Sequence, residues 1–142
     1  MRWTSAANAY EIPMTVIPDD IDEQGIAYNV AVVDWMIRAA IAHSTALGFD
    51  RFAYRRLGSM FVVRRHEIDY HRSARLGDEL MLRTWPSFMK AATAHRCHEV
   101  VAPDGTLIAK GVNVWAYVDR TTGRPMRMPA EVLDSFDVGQ FL

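Results

Sequence analysis

Three carboxylates within four residues, Asp19, Asp20 and Asp22, stand between a short alternating apolar segment and the start of a long helical pattern. A carboxylate can attack an electrophilic carbon or take a proton from water. The first amides of a helix lack intrahelical acceptors and carry the positive end of the helix dipole, so they stabilise an oxyanion developing beside them. With Asn29 opening the helix seven residues after Asp22, the pairing would suit attack on a carbonyl and stabilisation of the resulting tetrahedral species. Solvated loop acids that complement the helix dipole would satisfy the same residues, and the acidic segment alone does not choose between the two.

Other chemistries fail on spacing. Asp20-x-Asp22-x-Gln24-Gly25 imitates the start of a calcium loop, but Ala31 occupies the twelfth position, where a bidentate Glu is required. His95 and His98 are three apart in an alternating segment and face opposite sides, so they do not chelate one ion. With His66 and His71 they read as strand-surface or partly buried histidines. Cys97, the single cysteine, reads as a half-buried, inert thiol. The chain has no Gly-x-Ser-x-Gly elbow and no phosphate-cradling glycine loop.

The elements that must position the acids follow from periodicity. Tyr10 to Ile17 alternates and reads as a strand ended by Pro18. Val30, Val33, Ile37, Ala40, Ile41, Ser44 and Leu47 recur at three- and four-residue spacing, predicting a helix from about Asn29 to Leu47 with that face on the core. Asn29 is a favourable cap, Asp34 and Arg38 pair on the other face, and Gly48 is the stop. A polar connection through Arg55-Arg56-Leu57-Gly58 then leads to strands. Met60, Val62, His66, Ile68 and Tyr70 share one face of the first. The second runs from Glu79 to Trp85 and the third from about Thr93 to Val101. The Pro103-Asp104-Gly105-Thr106 turn leads into Leu107 to Asp119, with Val112, Val114, Ala116 and Val118 on one face and Trp115 and Tyr117 on the other. Two apolar faces on this last strand predict a helix on one side and a second layer or subunit on the other. The pattern is α+β, with a single long helix lying on an antiparallel sheet.

At 142 residues and 16.1 kDa the chain is read as one domain over 1–142. Half of it is hydrophobic, and 16 basic against 17 acidic residues give a net charge of -1, which offers no basic excess for nucleic acid. One cysteine, no signal-peptide stretch and no long apolar run predict a soluble cytoplasmic protein with no membrane segment.

The segment from Val16 to Asn29, followed by the Trp35-bearing helix, resembles the Asp-x-Asp-x-x-Gly-h-x-Tyr-(Asn/His) motif, with h apolar, of the 4-hydroxybenzoyl-CoA thioesterase-like acyl-CoA thioesterases of the hotdog fold. His66-Glu67-Ile68-Asp69-Tyr70, Ala74 to Leu80, Trp115 to Asp119, Gly123-Arg124-Pro125 and Met128-Pro129 extend the resemblance from about Tyr10 to Phe136. It implies a hotdog fold, an antiparallel sheet wrapped around one long helix, and hydrolysis of an acyl-CoA thioester to a carboxylic acid and coenzyme A. Asp22 would be nucleophile or general base, and the amide of Asn29 would polarise the carbonyl. Asp20 would be structural. Asn29 replaces the His of some relatives, so its side chain cannot exchange a proton near neutral pH. Gly25, Ile26 and Tyr28 of the motif, with the apolar Val33, Met60 and Phe61, are the expected substrate-binding residues. Arg64, Arg65 and Lys90 are the candidates for the coenzyme A phosphates, alternation allowing one of the two arginines to face a given ligand. No metal or redox cofactor is implied, coenzyme A entering as part of the substrate. The expected assembly is a homodimer or a tetramer of dimers with sites shared between chains. A hotdog hydratase or dehydratase, built on a catalytic His, and a non-catalytic acyl-CoA-binding domain are the alternatives; the helix entrance lacks the His, and binding alone does not require Asp22.

Overall fold

The computed structural model describes residues 3–141. Five strands, β1 (Tyr10–Thr15), β2 (Ser59–Tyr70), β3 (Glu79–Lys90), β4 (Thr93–Val101) and β5 (Leu107–Asp119), form one sheet. Their order is β1-β3-β4-β5-β2, and every neighbouring pair is antiparallel. The two strands on either side of the long helix α1 (Asn29–Ala46) are therefore the two edges of the sheet. Four inter-strand gaps span about 19 Å, and an 18-residue helix is about 27 Å long, so α1 carries the chain from one edge to the other across the face it covers.

The buried stripe of α1 is Val32, Trp35, Met36, Ala39, Ala40 and His43. This corrects the expected face: Val30 is 75% and Ile41 58% exposed, and only Ala40 and Ser44 of the expected stripe are buried. Both stripes are apolar at helical spacing, and the one bearing Trp35, fully buried, has the larger side chains to remove from water. Trp35 and Met36 join Val16, Leu80, Leu82, Val100 and Ala109 in the main core. The cap also differs from expectation. Tyr28 is the N-cap and Asn29 the first helical residue, because the Tyr28 amide is drawn back to Asp20 O (2.9 Å).

Five further elements depart from the reading of the sequence. α2 (Arg51–Arg56), capped by Asp50, whose side chain accepts from the Ala53 amide (2.9 Å), and α3 (Ala130–Phe136) are too short for a clear apolar period. β3 continues past Trp85 through Pro86, the missing N–H being accommodated where the register with β4 shifts between Pro86 and Phe88. In β2 a register shift between Val63 and Arg65 moves the alternation by one residue, so Met60 and Val62 lie on the opposite face from His66, Ile68 and Tyr70. β1 stops at Thr15, two residues short of the expected end.

The N-terminal segment and Phe141 cover part of the sheet face opposite α1, around Val112, where the sequence suggested a second layer. Trp3 packs edge-on to Trp85 (centroids 5.8 Å apart) in a cluster with the fully buried Cys97, Val112 and Phe141. Arg83 links β1, β4 and the N-terminal segment through Glu11, Glu99 and Ala6 O. α3 closes a second core of Phe49, Tyr117, Met128, Val132 and Phe136. Among the described residues no helix is long and apolar enough to cross a membrane.

Gly111 is a point of close approach between helix and sheet. A Cβ there would stand 3.0 Å from Glu67 O, 3.0 Å from Ile68 Cγ1 and 3.3 Å from Met36 Sδ. An alanine normally favours a strand over glycine; here Gly111→Ala is expected to lower stability by about 1–3 kcal/mol, and Gly111→Val by more, read as urea unfolding midpoints. An unchanged midpoint for the alanine variant would show that Met36 and β2 yield freely.

Candidate active site

The acidic segment forms a compact turn ahead of α1. Pro18–Asp20 make one 3-10 turn, and the buried Asp20 accepts the Ile17 amide on Oδ2 (3.0 Å) while its carbonyl takes the Tyr28 amide. Asp20 therefore ties the two ends of the loop together, as a structural residue does. Asp22, half-buried, accepts the amides of Gln24 (2.8 Å) and Ile26 (3.2 Å) on Oδ1. Its Oδ2 has no hydrogen-bond partner among the described residues. Gly25, at φ +80°, allows the turn in which its amide returns to Asp22 O (3.0 Å). The carboxylate is thus held by one oxygen.

The helix start beside it is uncommitted. Among the described residues the amides of Asn29 and Val30 have no acceptor, and the first turn of α1 contains no acidic residue to neutralise the dipole. Tyr70, from the far end of β2, donates its hydroxyl to Asn29 O (2.9 Å) and fixes the helix end against the edge strand.

The sequence-predicted residues fall into separate groups. Asp22, Gly25, Ile26, Tyr28 and Asn29 share the turn and helix start, with Tyr28 exposed. Met60 and Phe61 instead line a cavity of about 510 Å³ between the C-terminal half of α1, α2, the beginning of β2 and the β3–β4 hairpin. Ile26 and Val33 lie outside that cavity. Arg64 is exposed at the β2 register shift, Arg65 is exposed beside Glu67 (3.9 Å), and Lys90 is exposed at the end of β3. Within one chain neither the catalytic candidates nor these cations reach the cavity.

Sequence reasoning missed the polar side chains buried beneath the helix. Asn113 Oδ1 accepts from His98 Nε2 (2.7 Å) and Trp115 Nε1 (2.8 Å), while its Nδ2 donates to His66 Nδ1 (3.3 Å). This fixes His98 as the Nε2–H tautomer, with Nδ1 buried and unpartnered. Arg96 Nη1 donates to His43 Nδ1 (3.0 Å) and Thr84 Oγ1 (3.1 Å), so His43 is also neutral. Burial, reinforced by the Arg96 charge, pushes His43 down to about 4, and burial pushes His98 down to about 3. The signal available was a run of polar residues, Arg96, His98 and Asn113, at inward positions of otherwise apolar strands.

A long helix packed across one face of a five-stranded antiparallel sheet is the hotdog arrangement. The sequence profile of the thioesterase-like superfamily matches residues 16–136, and the chain belongs to that superfamily of thioester-hydrolysing enzymes. It is 28% identical over 130 residues to the acyl-CoA thioesterase YbgC of Haemophilus influenzae, covering 91% of this chain and 95% of that one. Its fold is shared by an oleoyl thioesterase from Lactobacillus plantarum, described as putative, with TM-score 0.87 and 24% identity over 94% of this chain. The chain spans about half of that longer protein, 53%. A Staphylococcus aureus protein in complex with CoA has the same fold, with TM-score 0.87, 13% identity, and coverage of 99% of this chain and 88% of that one.

The buried histidines have a consequence for stability. Their folded-state pKa values lie below the unfolded value of about 6.5. The unfolded chain therefore binds protons first as pH falls, and stability present above about pH 6.5 is lost on the way down to the folded values. Each histidine is expected to cost about 1–2 kcal/mol at pH 5, read as a fall in Tm between pH 7 and pH 5. His43→Gln, which retains an acceptor for Arg96 but does not titrate, is expected to flatten part of that fall. A Tm independent of pH over this interval would contradict neutral burial.

Proposed function

We propose that the protein hydrolyses an acyl-CoA thioester to a carboxylic acid and coenzyme A, with Asp22 as nucleophile or general base. The observation that carries this reading is the Asp22 carboxylate, anchored through Oδ1 alone, beside a helix start whose amides have no acceptor among the described residues. As nucleophile, Asp22 adds to the thioester carbonyl, the C–S bond breaks, coenzyme A leaves as thiolate, and water cleaves the resulting anhydride. As base, it takes a proton from the water that adds to the carbonyl and passes it to the departing sulfur. Either route places negative charge on the carbonyl oxygen, which the Asn29 amide and the dipole of α1 stabilise. The thioester needs no metal or redox cofactor for either route. The activity named for the YbgC relative supports the acyl-CoA assignment, and the neighbour solved with CoA supports coenzyme A as the carrier.

The working unit in this proposal is two chains in the cytoplasm, each a single hotdog domain, alone or as part of a tetramer of dimers. β2 is an edge strand, with one side of its backbone open to a further strand. Tyr70 at one end of β2 holds Asn29, and Met60 and Phe61 at the other end line the cavity, ten residues or roughly 30 Å away along the strand. A second copy added antiparallel across β2 reverses that order, bringing Asp22 and Asn29 of each chain toward the cavity of its partner. The exposed apolar Val30 and Ile41 of α1 are surface that such pairing would cover. Arg64, Arg65 and Lys90 stay outside the cavity, where the phosphates of a long carrier would lie.

Asp22→Asn keeps size and hydrogen-bond acceptance but removes the charge, so turnover is expected to fall about 100-fold or more, with stability moving by about 1 kcal/mol. Asp20→Asn makes the same change two residues away and retains an acceptor for the Ile17 amide, so it should lower Tm while the folded enzyme keeps most of its turnover. The check is thiol release from acyl-CoA, measured alongside melting temperature. Near wild-type turnover in Asp22→Asn would show that the carboxylate is structural.

A further inference from the structure

The cavity is apolar over most of its wall, with Ile37, Ile41, Phe61 and Phe136 among its lining, yet it contains a buried cation. Arg96 lies on the inward face of β4 and is 7% exposed. Buried charges in folded proteins are paired with opposite charges, because removing an unpaired ion from water is costly. Among the described residues Arg96 has no carboxylate partner. Its hydrogen bonds are both made by Nη1, to the neutral His43 and Thr84, while the Phe136 ring packs 5.6 Å from its guanidinium carbon. Nε and Nη2 have no acceptor among the described residues, although neither is sealed away from the open space. Burial lowers Arg96 only to about 10, so the group is charged at neutral pH. Arg51 and Arg120 also line the cavity, and Asp50 is its one acidic lining residue; Asp50 caps α2 through the Ala53 amide.

A guanidinium whose Nη1 is braced and whose Nε–Nη2 edge is open presents two parallel N–H donors, the geometry that matches the two oxygens of a carboxylate. We propose that Arg96 binds a carboxylate at the far end of the acyl group, so that the substrate class is the coenzyme A half-thioester of a dicarboxylic acid. This deepens the thioesterase reading and rests on it: the apolar wall accommodates the methylene chain, and Arg96 receives the terminal charge. An acyl group ending in methyl would leave the guanidinium buried without an anion, and the site would discriminate against it.

The experiment compares kcat/KM for glutaryl-, adipoyl- and suberoyl-CoA with pentanoyl-, hexanoyl- and octanoyl-CoA on the wild-type enzyme. Calorimetric titration with free suberate and octanoate runs beside it. For at least one pair of equal length the dicarboxylic thioester is expected to be preferred by about tenfold or more, and suberate to bind more tightly than octanoate. In Arg96→Met the preference, read as the ratio of kcat/KM within each pair of equal length, should vanish. Arg96→Lys, which keeps charge but loses the paired donors, should retain only part of it. The wild-type comparisons decide the matter if either variant fails to fold. Hydrolysis of both series without preference, together with equal or no binding of the two free acids, would overturn the role of Arg96 and leave the thioesterase reading standing. Arg96-dependent suberate binding without hydrolysis of any thioester would do the reverse. Absence of both hydrolysis and acid binding would overturn both.

Discussion

The burial of Trp35 and Met36 against the concave face of the sheet is the contact on which the remaining geometry depends. It fixes the rotation of α1 about its axis, and with it which apolar stripe is spent on the core and which is left outside. Close approach is possible because Gly111 of β5 offers no side chain to Met36. Once the helix is seated, its N-terminus is set beside the acidic turn and the end of β2. Its C-terminal half forms one wall of the cavity. The acidic turn and the cavity therefore lie at two ends of one packed element, separated by the length that lets α1 cross the sheet.

The polar residues beneath the helix make this seating demanding. His98 and Trp115 both donate to the carbonyl oxygen of Asn113, and the geometry fixes both the amide orientation and the histidine tautomer. Arg96 is different in kind, because its neighbours are neutral and two of its nitrogens have no acceptor among the described residues. A core selected only for stability would replace such a cation with an apolar side chain. Its presence in a cavity is what directs attention to a charged ligand, whereas the Asn113 cluster makes its bonds within the protein.

Much of the architecture was legible because strong local signals agreed. Gly25 and Gly48, the long apolar period after Asn29, and the Asp104-Gly105 turn mark the ends and type of the principal elements; the α+β pattern follows from their order, and the hotdog arrangement from the motif resemblance. The face of α1 was not legible, since two apolar stripes overlap and only the sheet chooses the one containing Trp35. The register shift in β2 was hidden because a bulge has no required residue type, and the full length of β3 because Pro86 reads as a strand end. For the candidate site, the turn from Asp20 to Asn29 was readable as a contiguous motif. The cavity was not, because Arg96, Tyr54, Phe61 and Phe136 come from four separate elements and meet only through topology. The one sign at Arg96 is alternation, which puts it on the same face of β4 as His98 and Val100.

The central claim is that the carboxylate of one chain serves the cavity of another. Hybrid dimers test it most directly. Asp22→Asn and a cavity-filling variant such as Ile37→Trp, each inactive alone, are unfolded together and refolded. In a hybrid of a shared-site dimer, both lesions fall in one site and leave the other intact, so the mixture should regain about a quarter of wild-type specific activity if chains assort at random. A mixture no more active than its two parents, with hybrid dimers demonstrated by native mass spectrometry, would contradict the account.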